Sequence, residues 1–531
     1  MTQAEPPRVG SGGAQLLSLG LGWGWLSPVL LLSIPAELLT AGRDGLWLLL
    51  LVFVAPLLAL LLPQFPAPRN HRAGTLAAVL MLLMVGTVLW ANLTLAGDVA
   101  FWLGGSRWSG VLVAGGGAVA LAALREDERR GWLLGFLAFV GLVGLALPLL
   151  VILRATDPVP PRVFSRVASQ AAFQFASDSP WVSDGRSVMV RRGVDTLFFE
   201  EEHRVIPLTE RPMRVIISDG GRVRVEELRV TSGRPVTLRP GDRLQVDGEA
   251  RYRFEAGKRI PGAPVSGIAW ADAPIRPRGV AFLRVLGLGV TLVGGAAALF
   301  TLGGSRSRGG IALWGLFLLA AVAWSQCWAL YGAAYAPEIF LGGVTPEKLL
   351  ELPALVLRGQ PWGRWLVGVA LAGLLAGILA AAAALRRALG HIELAGQPAE
   401  GHGRGEARVP VPAQQPGAAP ARGPARDWRL WGGLVALAGL ASLWPFDAWT
   451  LLSLAFGLGA STLAPLGVAG GRPRAATGAM AVGFVLFVGL SALGWLAPAQ
   501  GYVLLSFPAL IAAPAAWGIL WLARRLSPEA E

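Results

Sequence analysis

A chain whose apolar segments are each long enough to cross a bilayer has few folds open to it. In lipid every backbone polar group must be bonded within the protein, so only helices and closed barrels span. A span needs about 20 largely apolar residues to cross a hydrocarbon core of about 30 Å. Such runs fill this sequence: Leu16–Pro35, Leu46–Leu62, Gly74–Ala91, Gly110–Leu124 and Trp132–Leu153 come first. Then follow Val280–Leu302, Ile311–Tyr331, Trp365–Leu385, Leu430–Trp444, Leu451–Val468, Ala476–Leu496 and Val503–Ala523. Val99 is the earliest start open to the fourth run. Charged side chains are nearly absent inside these segments, as their cost in lipid requires. With 54% hydrophobic and 15% charged residues, a chain of 531 residues is too apolar for a water-soluble fold. The expected fold class is a polytopic α-helical membrane protein of about 12 transmembrane helices.

Arginine placement orients the chain. With the N-terminus cytoplasmic, the inner connections hold Arg69, Arg72, Arg125, Arg129, Arg130, Arg306, Arg308, Arg386, Arg387, Arg472, Arg474, Arg524 and Arg525. The outer ones hold little beyond Arg43, Arg107, Lys348, Arg358 and Arg364. With the N-terminal segment and the long linker included, the split is roughly nineteen to five, a strong positive-inside bias. Both termini are expected in the cytoplasm, in a bacterial inner membrane. The polar opening Met1–Gly13 and the long first run point to a retained helix rather than a cleaved signal peptide. Topogenic arginine also accounts for most of the net charge of +13, so no nucleic-acid partner is called for.

One polar stretch interrupts the pattern, from Asp157 to Pro277. Short runs of strand-forming residues recur through it: Ser187–Arg191, Asp195–Phe199, Arg204–Leu208, Met213–Ile217, Arg222–Val230, Val236–Leu238, Arg243–Val246 and Arg251–Phe254. Asp184-Gly185, Asp219-Gly220-Gly221, Pro240-Gly241-Asp242 and Asp247-Gly248 supply the turns between them. This spacing predicts an extracytoplasmic β-rich domain, sandwich- or barrel-like, inserted between the fifth and sixth spans. A second break, His391–Asp427, is rich in Pro, Ala, Gly and Gln and is expected to be a disordered cytoplasmic linker. The expected organisation is a membrane region at 1–156, the β-rich domain at 157–279, and a second membrane region at 280–390. The linker at 391–427 and a last membrane region at 428–531 complete it.

Catalytic chemistry has little to stand on. His71, His203, His391 and His402 lie scattered over loops without metal-ligand spacing. Glu200-Glu201-Glu202-His203 reads as a solvated strand end. There is no nucleophile elbow, phosphate loop or dinucleotide fingerprint. No enzyme activity, cofactor or metal centre is expected. Gly104-Gly105 and Gly115-Gly116-Gly117 fit close helix packing. The tryptophans Trp23, Trp25, Trp102, Trp108, Trp444 and Trp449 fit interfacial anchoring, and the single Cys327 sits inside a predicted span. Few polar residues remain at membrane depth. Ser461-Thr462 with Pro465 mark either an interrupted helix whose freed carbonyls line a transport path, or hydroxyls bonded back to their own helix. Ser325-Gln326 are the other path candidates, with interhelical bonding as their alternative.

Leu451–Pro465, followed by Arg474-Ala475-Ala476-Thr477-Gly478-Ala479, resembles the sodium:solute symporter family, in its cation/acetate symporter branch. Asp447 before that helix and the closing Arg524-Arg525-Leu526-Ser527-Pro528 fit the same branch. Upstream, Pro346–Pro361, the alanine-rich Trp365–His391 and its ending Ala388-Leu389-Gly390-His391 are similar to the family's corresponding segments. The resemblance covers Thr345–Glu531. It implies co-transport of a small solute, often a monocarboxylate, with sodium. It also implies an ion-ligand motif of the Ser-Thr-Ala-Asp type in the alanine-rich helix. Here Leu374–Ala382 carries no hydroxyl or carboxylate, and the family's broken first helix is not recognisable in Leu16–Leu153. Two functions stand side by side: a divergent symporter-like transporter, and a non-transporting scaffold or sensor whose exported domain binds an envelope partner. The expected partners are the lipid bilayer, a small solute and a second membrane subunit that completes the core.

Overall fold

The computed structural model describes residues 27–41, 71–123, 128–176, 179–184, 196–208, 213–219, 222–228, 232–245, 249–272, 283, 286–291, 324, 327–341, 344, 346–358, 360–396, 424–444, 446–465, 473–496 and 507–526. Helices α1 (Pro28–Ala41), α2 (His71–Trp102), α3 (Arg107–Ala123) and α4 (Glu128–Ala155) open the described fold. A short helix α5 (Pro160–Ala168) leads into the strands, and α6 (Gly267–Asp272) leads out of them. Next come a 3-10 turn (Pro337–Phe340), α7 (Pro346–Leu350), α8 (Leu352–Val356) and α9 (Trp362–Gly396). The last group is α10 (Pro424–Ala441), α11 (Ala448–Leu458), a π-helical turn (Gly459–Leu463), α12 (Pro473–Leu496) and α13 (Ala509–Leu526).

Among the described residues, four stretches are long and apolar enough to cross a membrane: Thr75–Trp102, Leu133–Ala155, Trp362–Arg386 and Arg474–Gly494. Shorter apolar helices cover Arg107–Ala123, Leu430–Ala441, Ala448–Leu463 and Ala509–Ala523. The expected span 46–62 and most of 280–302 and 311–331 lie outside the described residues.

Several boundaries move, each for a physical reason. The third span was cut at Ala91 because Asn92, Thr94 and Asp98 lower its hydropathy; the helix runs on to Trp102. The fourth starts at Arg107, after a turn in which Gly104 takes φ +91. The helix α9 continues to Gly396 and α10 begins at Pro424, so both ends of the expected linker are helical. The first span is not helical throughout. Ser27, in its middle, adopts φ +39, and α1 starts at Pro28; residues 16–26 of the span lie outside the described residues. A residue before proline is pushed out of the α region, which explains why a helix starts there.

The long helix α2 is the hub, packed against α1, α3, α9, α10, α11, α12 and the π-helical turn. Apolarity cannot drive association among lipid-solvated helices, so contact depends on how closely backbones approach. Glycine supplies that approach. A Cβ on Gly373 of α9 would lie 2.7 Å from the Gly144 Cα of α4. One on Gly110 of α3 would run into the Ala96 carbonyl of α2. Polar and cation–aromatic contacts near helix ends tie neighbouring helices together. On one side Arg386 donates to the Ala122 carbonyl and Trp431 Nε1 to the Ala118 carbonyl at 3.4 Å. On the other, Lys348 lies 5.9 Å from the Trp102 ring centroid, and the Tyr331 hydroxyl donates to the Asp157 carbonyl.

Among the described residues, eight strands form two antiparallel four-stranded sheets, ordered β1-β8-β3-β6 and β2-β7-β4-β5. Their ranges are β1 Ser179–Asp184, β2 Thr196–Phe198, β3 His203–Pro207, β4 Met213–Asp219, β5 Arg222–Leu228, β6 Val236–Leu238, β7 Arg243–Gln245 and β8 Glu249–Phe254. The expected run Ser187–Arg191 lies outside the described residues. Alternation turns Tyr252 and Phe254 inward and Arg253 outward along β8. Leu197, Leu244 and Val215 of one sheet are buried in the same core as Val205, Leu238, Tyr252 and Phe254 of the other.

The strand module is bonded to the helices. Glu338, on the 3-10 turn, accepts from the Ala176 N–H at 2.8 Å and pairs with Arg358 at 2.6 Å. The Phe173 and Phe340 rings lie 5.1 Å apart. The Arg166 guanidinium sits 4.8 Å from the Tyr335 ring centroid, and Gln170 Nε2 donates to the Ala334 carbonyl at 3.3 Å.

Candidate functional site

Buried polar groups among the described helices gather on two segments and on the hub between them, with Thr291, Glu338, Lys348 and Ser442 buried elsewhere. The first segment is the end of α11. Asp447 caps that helix, accepting from the Thr450 N–H at 2.8 Å and from its hydroxyl at 2.6 Å. After the eleven residues Ala448–Leu458, the helix widens into the π-helical turn Gly459–Leu463. Single π turns concentrate at functional sites because they displace side chains and loosen backbone bonds.

Ser461 and Thr462 sit in this turn, both with no exposed surface, and Pro465 follows it, also buried. The Thr462 hydroxyl donates to the Leu458 carbonyl at 2.6 Å, the back-bonding alternative. The Ser461 hydroxyl has no hydrogen-bond partner among the described residues. A buried hydroxyl left unpaired costs about 1–3 kcal/mol, so one that persists calls for a reason. Gly483 of α12 lets the helix press against the Ser461 carbonyl; any Cβ there would collide with it. The turn is thus enclosed by α2, α11, α12 and α13. Ser325 and Gln326 lie outside the described residues.

The second segment is the start of α1. The Ser27 hydroxyl donates to Asn92 Oδ1 of α2 at 3.0 Å and accepts from the Val29 N–H at 3.2 Å. Asn92 Nδ2 in turn donates to the Val88 carbonyl at 2.8 Å. Two further buried hydroxyls, Ser33 on α1 and Thr94 on α2, have no partner among the described residues. Sequence reasoning missed this group. Its signals were Ser27-Pro28 inside an apolar run, and Asn92 and Thr94 discarded by a span cut at Ala91.

No group of three or more His, Cys, Asp or Glu able to hold a metal occurs among the described residues. The oxygens available at depth are hydroxyls, one amide and freed backbone carbonyls. Such groups suit a weakly held, exchangeable ion or a small polar solute. Outside the spans, burial pushes the Glu351 carboxyl above its ordinary value, with Trp102 and then Lys348 opposing it.

No protein-family model and no curated protein matches the chain. Among solved structures it is similar to the substrate-bound, outward-open state of a Na+-coupled sialic acid symporter. The TM-score is 0.52, covering 97% of this chain and 90% of that one at 12% identity. At that identity the likeness is one of fold: a helical membrane fold similar to that of the symporter. The protein is multi-pass.

Proposed function

We propose that this protein is a divergent, symporter-like transporter that moves a small solute past the interrupted segments at Ser27 and Gly459–Leu463. The supporting observation is the buried, unpartnered Ser461 hydroxyl on a π-helical turn, within a fold similar over 97% of the chain to a Na+-coupled symporter. Broken helices at membrane depth present the backbone groups that replace the water of a solute or ion. The monocarboxylate class follows from the sequence resemblance to cation/acetate symporters. The protein of the similar structure carries sialic acid, also a carboxylate. On this reading the strand module projects from the outer face of a bacterial inner membrane and both termini are cytoplasmic.

One observation favours the second reading, a non-transporting sensor. Ala380, Ala381 and Ala382 of α9 are buried and carry no side-chain oxygen where the resembling family holds part of its ion site. Coupling to sodium is therefore the part of the proposal most exposed to test. Labelled acetate or pyruvate uptake into proteoliposomes, with and without an inward sodium gradient, separates the readings. Faster uptake with the gradient supports coupled transport. Equal uptake above that of empty vesicles supports an uncoupled carrier, and flat uptake in both leaves the sensor.

A further inference from the structure

The strand module joins the membrane helices through two short helices that pack on each other and leave an apolar strip uncovered. Helix α4 ends at Ala155, and α5 begins at Pro160 after four residues. Helix α5 is amphipathic: Val163 and Val167 are fully buried, whereas Phe164 is 37% exposed. Gly267 of α6 lies so close to the Val167 carbonyl that no side chain fits between, and its N–H donates to the Gln170 carbonyl at 2.9 Å. Trp270 and Ala271 of α6 face inward, and the Phe164 and Trp270 rings stand 6.2 Å apart. The outward residues Val265 and Ile268 are 63% and 61% exposed.

The level of these residues can be read from what they touch. Trp270 Nε1 donates to the Leu39 carbonyl at 2.9 Å, near the C-terminal end of α1. Asp157, between α4 and α5, accepts from Tyr331. Helices α5 and α6 therefore sit at the ends of the membrane helices, and α5 follows directly on Leu133–Ala155, whose Phe136, Phe139 and Leu150 are also exposed. Charge fits the same level. Arg154, in the last turn of α4, and Arg162 and Arg166 of α5 are exposed, with Asp272 as the exposed acid at the far end of α6. Apolar side chains beside exposed arginines at a membrane boundary match the chemistry of a phospholipid interface.

We propose that α5 and α6 form an interfacial collar that rests on the leaflet on the module's side. Phe164, Val265 and Ile268 enter the headgroup–acyl boundary, and Arg154 and Arg162 engage lipid phosphates. The collar fixes the height and tilt of the strand module over the helices.

The test uses full-length protein with Cys327→Ser, reconstituted in vesicles of phosphatidylethanolamine and phosphatidylglycerol. Nitroxide labels are placed singly through Phe164→Cys, Ile268→Cys and, as the reference, Phe198→Cys on the strand module. Power saturation with oxygen and with a water-soluble nickel chelate reads their depth. The expected result is oxygen-dominated relaxation at 164 and 268, about 5–10 Å below the phosphates, and nickel-dominated relaxation at 198. Adding Arg154→Gln and Arg162→Gln is expected to make the label at 164 shallower. Nickel access at 164 and 268 equal to that at 198 would overturn the collar. So would protection from both reagents, which would mean that a protein partner covers the face.

Discussion

The helical region and the strand module are both built around apolar cores, yet they close in opposite ways. Among the helices, neighbours meet through absent side chains: Gly144 against Gly373, Gly110 against Ala96, Gly483 against Ser461. In the module they meet through large ones. Phe254 lies 5.5 Å from Phe175 and 6.4 Å from Phe199, both rings nearly parallel to it. The solvent explains the difference. Water drives aromatic burial in the module, whereas lipid is as apolar as leucine and leaves only close contact to hold helices together. The module should fail on truncation and the helices on enlargement.

The largest effect is expected from Phe254→Ala, which empties the module core and should destabilise it by about 3–5 kcal/mol. Limited proteolysis of the purified protein would show faster cleavage within Ser179–Phe254, with the helices still intact. Next comes Gly144→Val, which forces α4 from α9 and should destabilise by about 1–3 kcal/mol. A lower thermal midpoint with unchanged proteolysis of the module would keep the two regions distinct. Parallel losses in both would merge them.

A smaller effect involves His203, buried with its ring 5.0 Å from Phe199 and its Nδ1 unpartnered among the described residues. Burial holds its pKa below the ordinary 6.5, although Glu201 beside it pulls upward. The unfolded chain then takes up the proton first. The stabilising contribution is complete above pH 6.5 and is lost as pH falls from there toward the lowered folded value. Melting curves between pH 5 and 8 should show this loss in the native protein. His203→Phe should flatten it.

At Ser461→Ala no stability is expected to be lost, and a gain of up to about 1–3 kcal/mol is the expected direction, because the buried hydroxyl it removes makes no bond. Solute transport should nevertheless fall. A variant that is as stable and as active as the native protein would remove Ser461 from the path.

Much of this was legible in the sequence, for reasons that differ by region. Lipid demands uninterrupted apolar runs, so α4, α9 and α12 could be read from hydropathy and the arginines at their ends. The same averaging hid what matters for function. It joined Ser27 into a continuous span and cut α2 at Ala91, before Asn92 and Thr94. The pairing of Ser461-Thr462 with Pro465 did point to an irregular helix, because proline and hydroxyls compete with regular backbone bonding; that the irregularity is a π turn was beyond it. In the module, alternation marked runs such as Arg251–Phe254. Ser179–Asp184 went unread because Pro180 argues against a strand. It is an edge strand, paired only with β8, where a missing N–H is tolerated. The short helices α5 and α6 escaped because neither is long enough to show a period.

The account stands on solute passing through the helices, and counterflow tests that without assuming any coupling ion. Proteoliposomes are loaded with unlabelled pyruvate and diluted into a trace of labelled pyruvate. Transport predicts a transient accumulation of label above its equilibrium level, diminished in Ser461→Ala. Label that enters no faster than into protein-free vesicles, across a panel of small carboxylates, would contradict it.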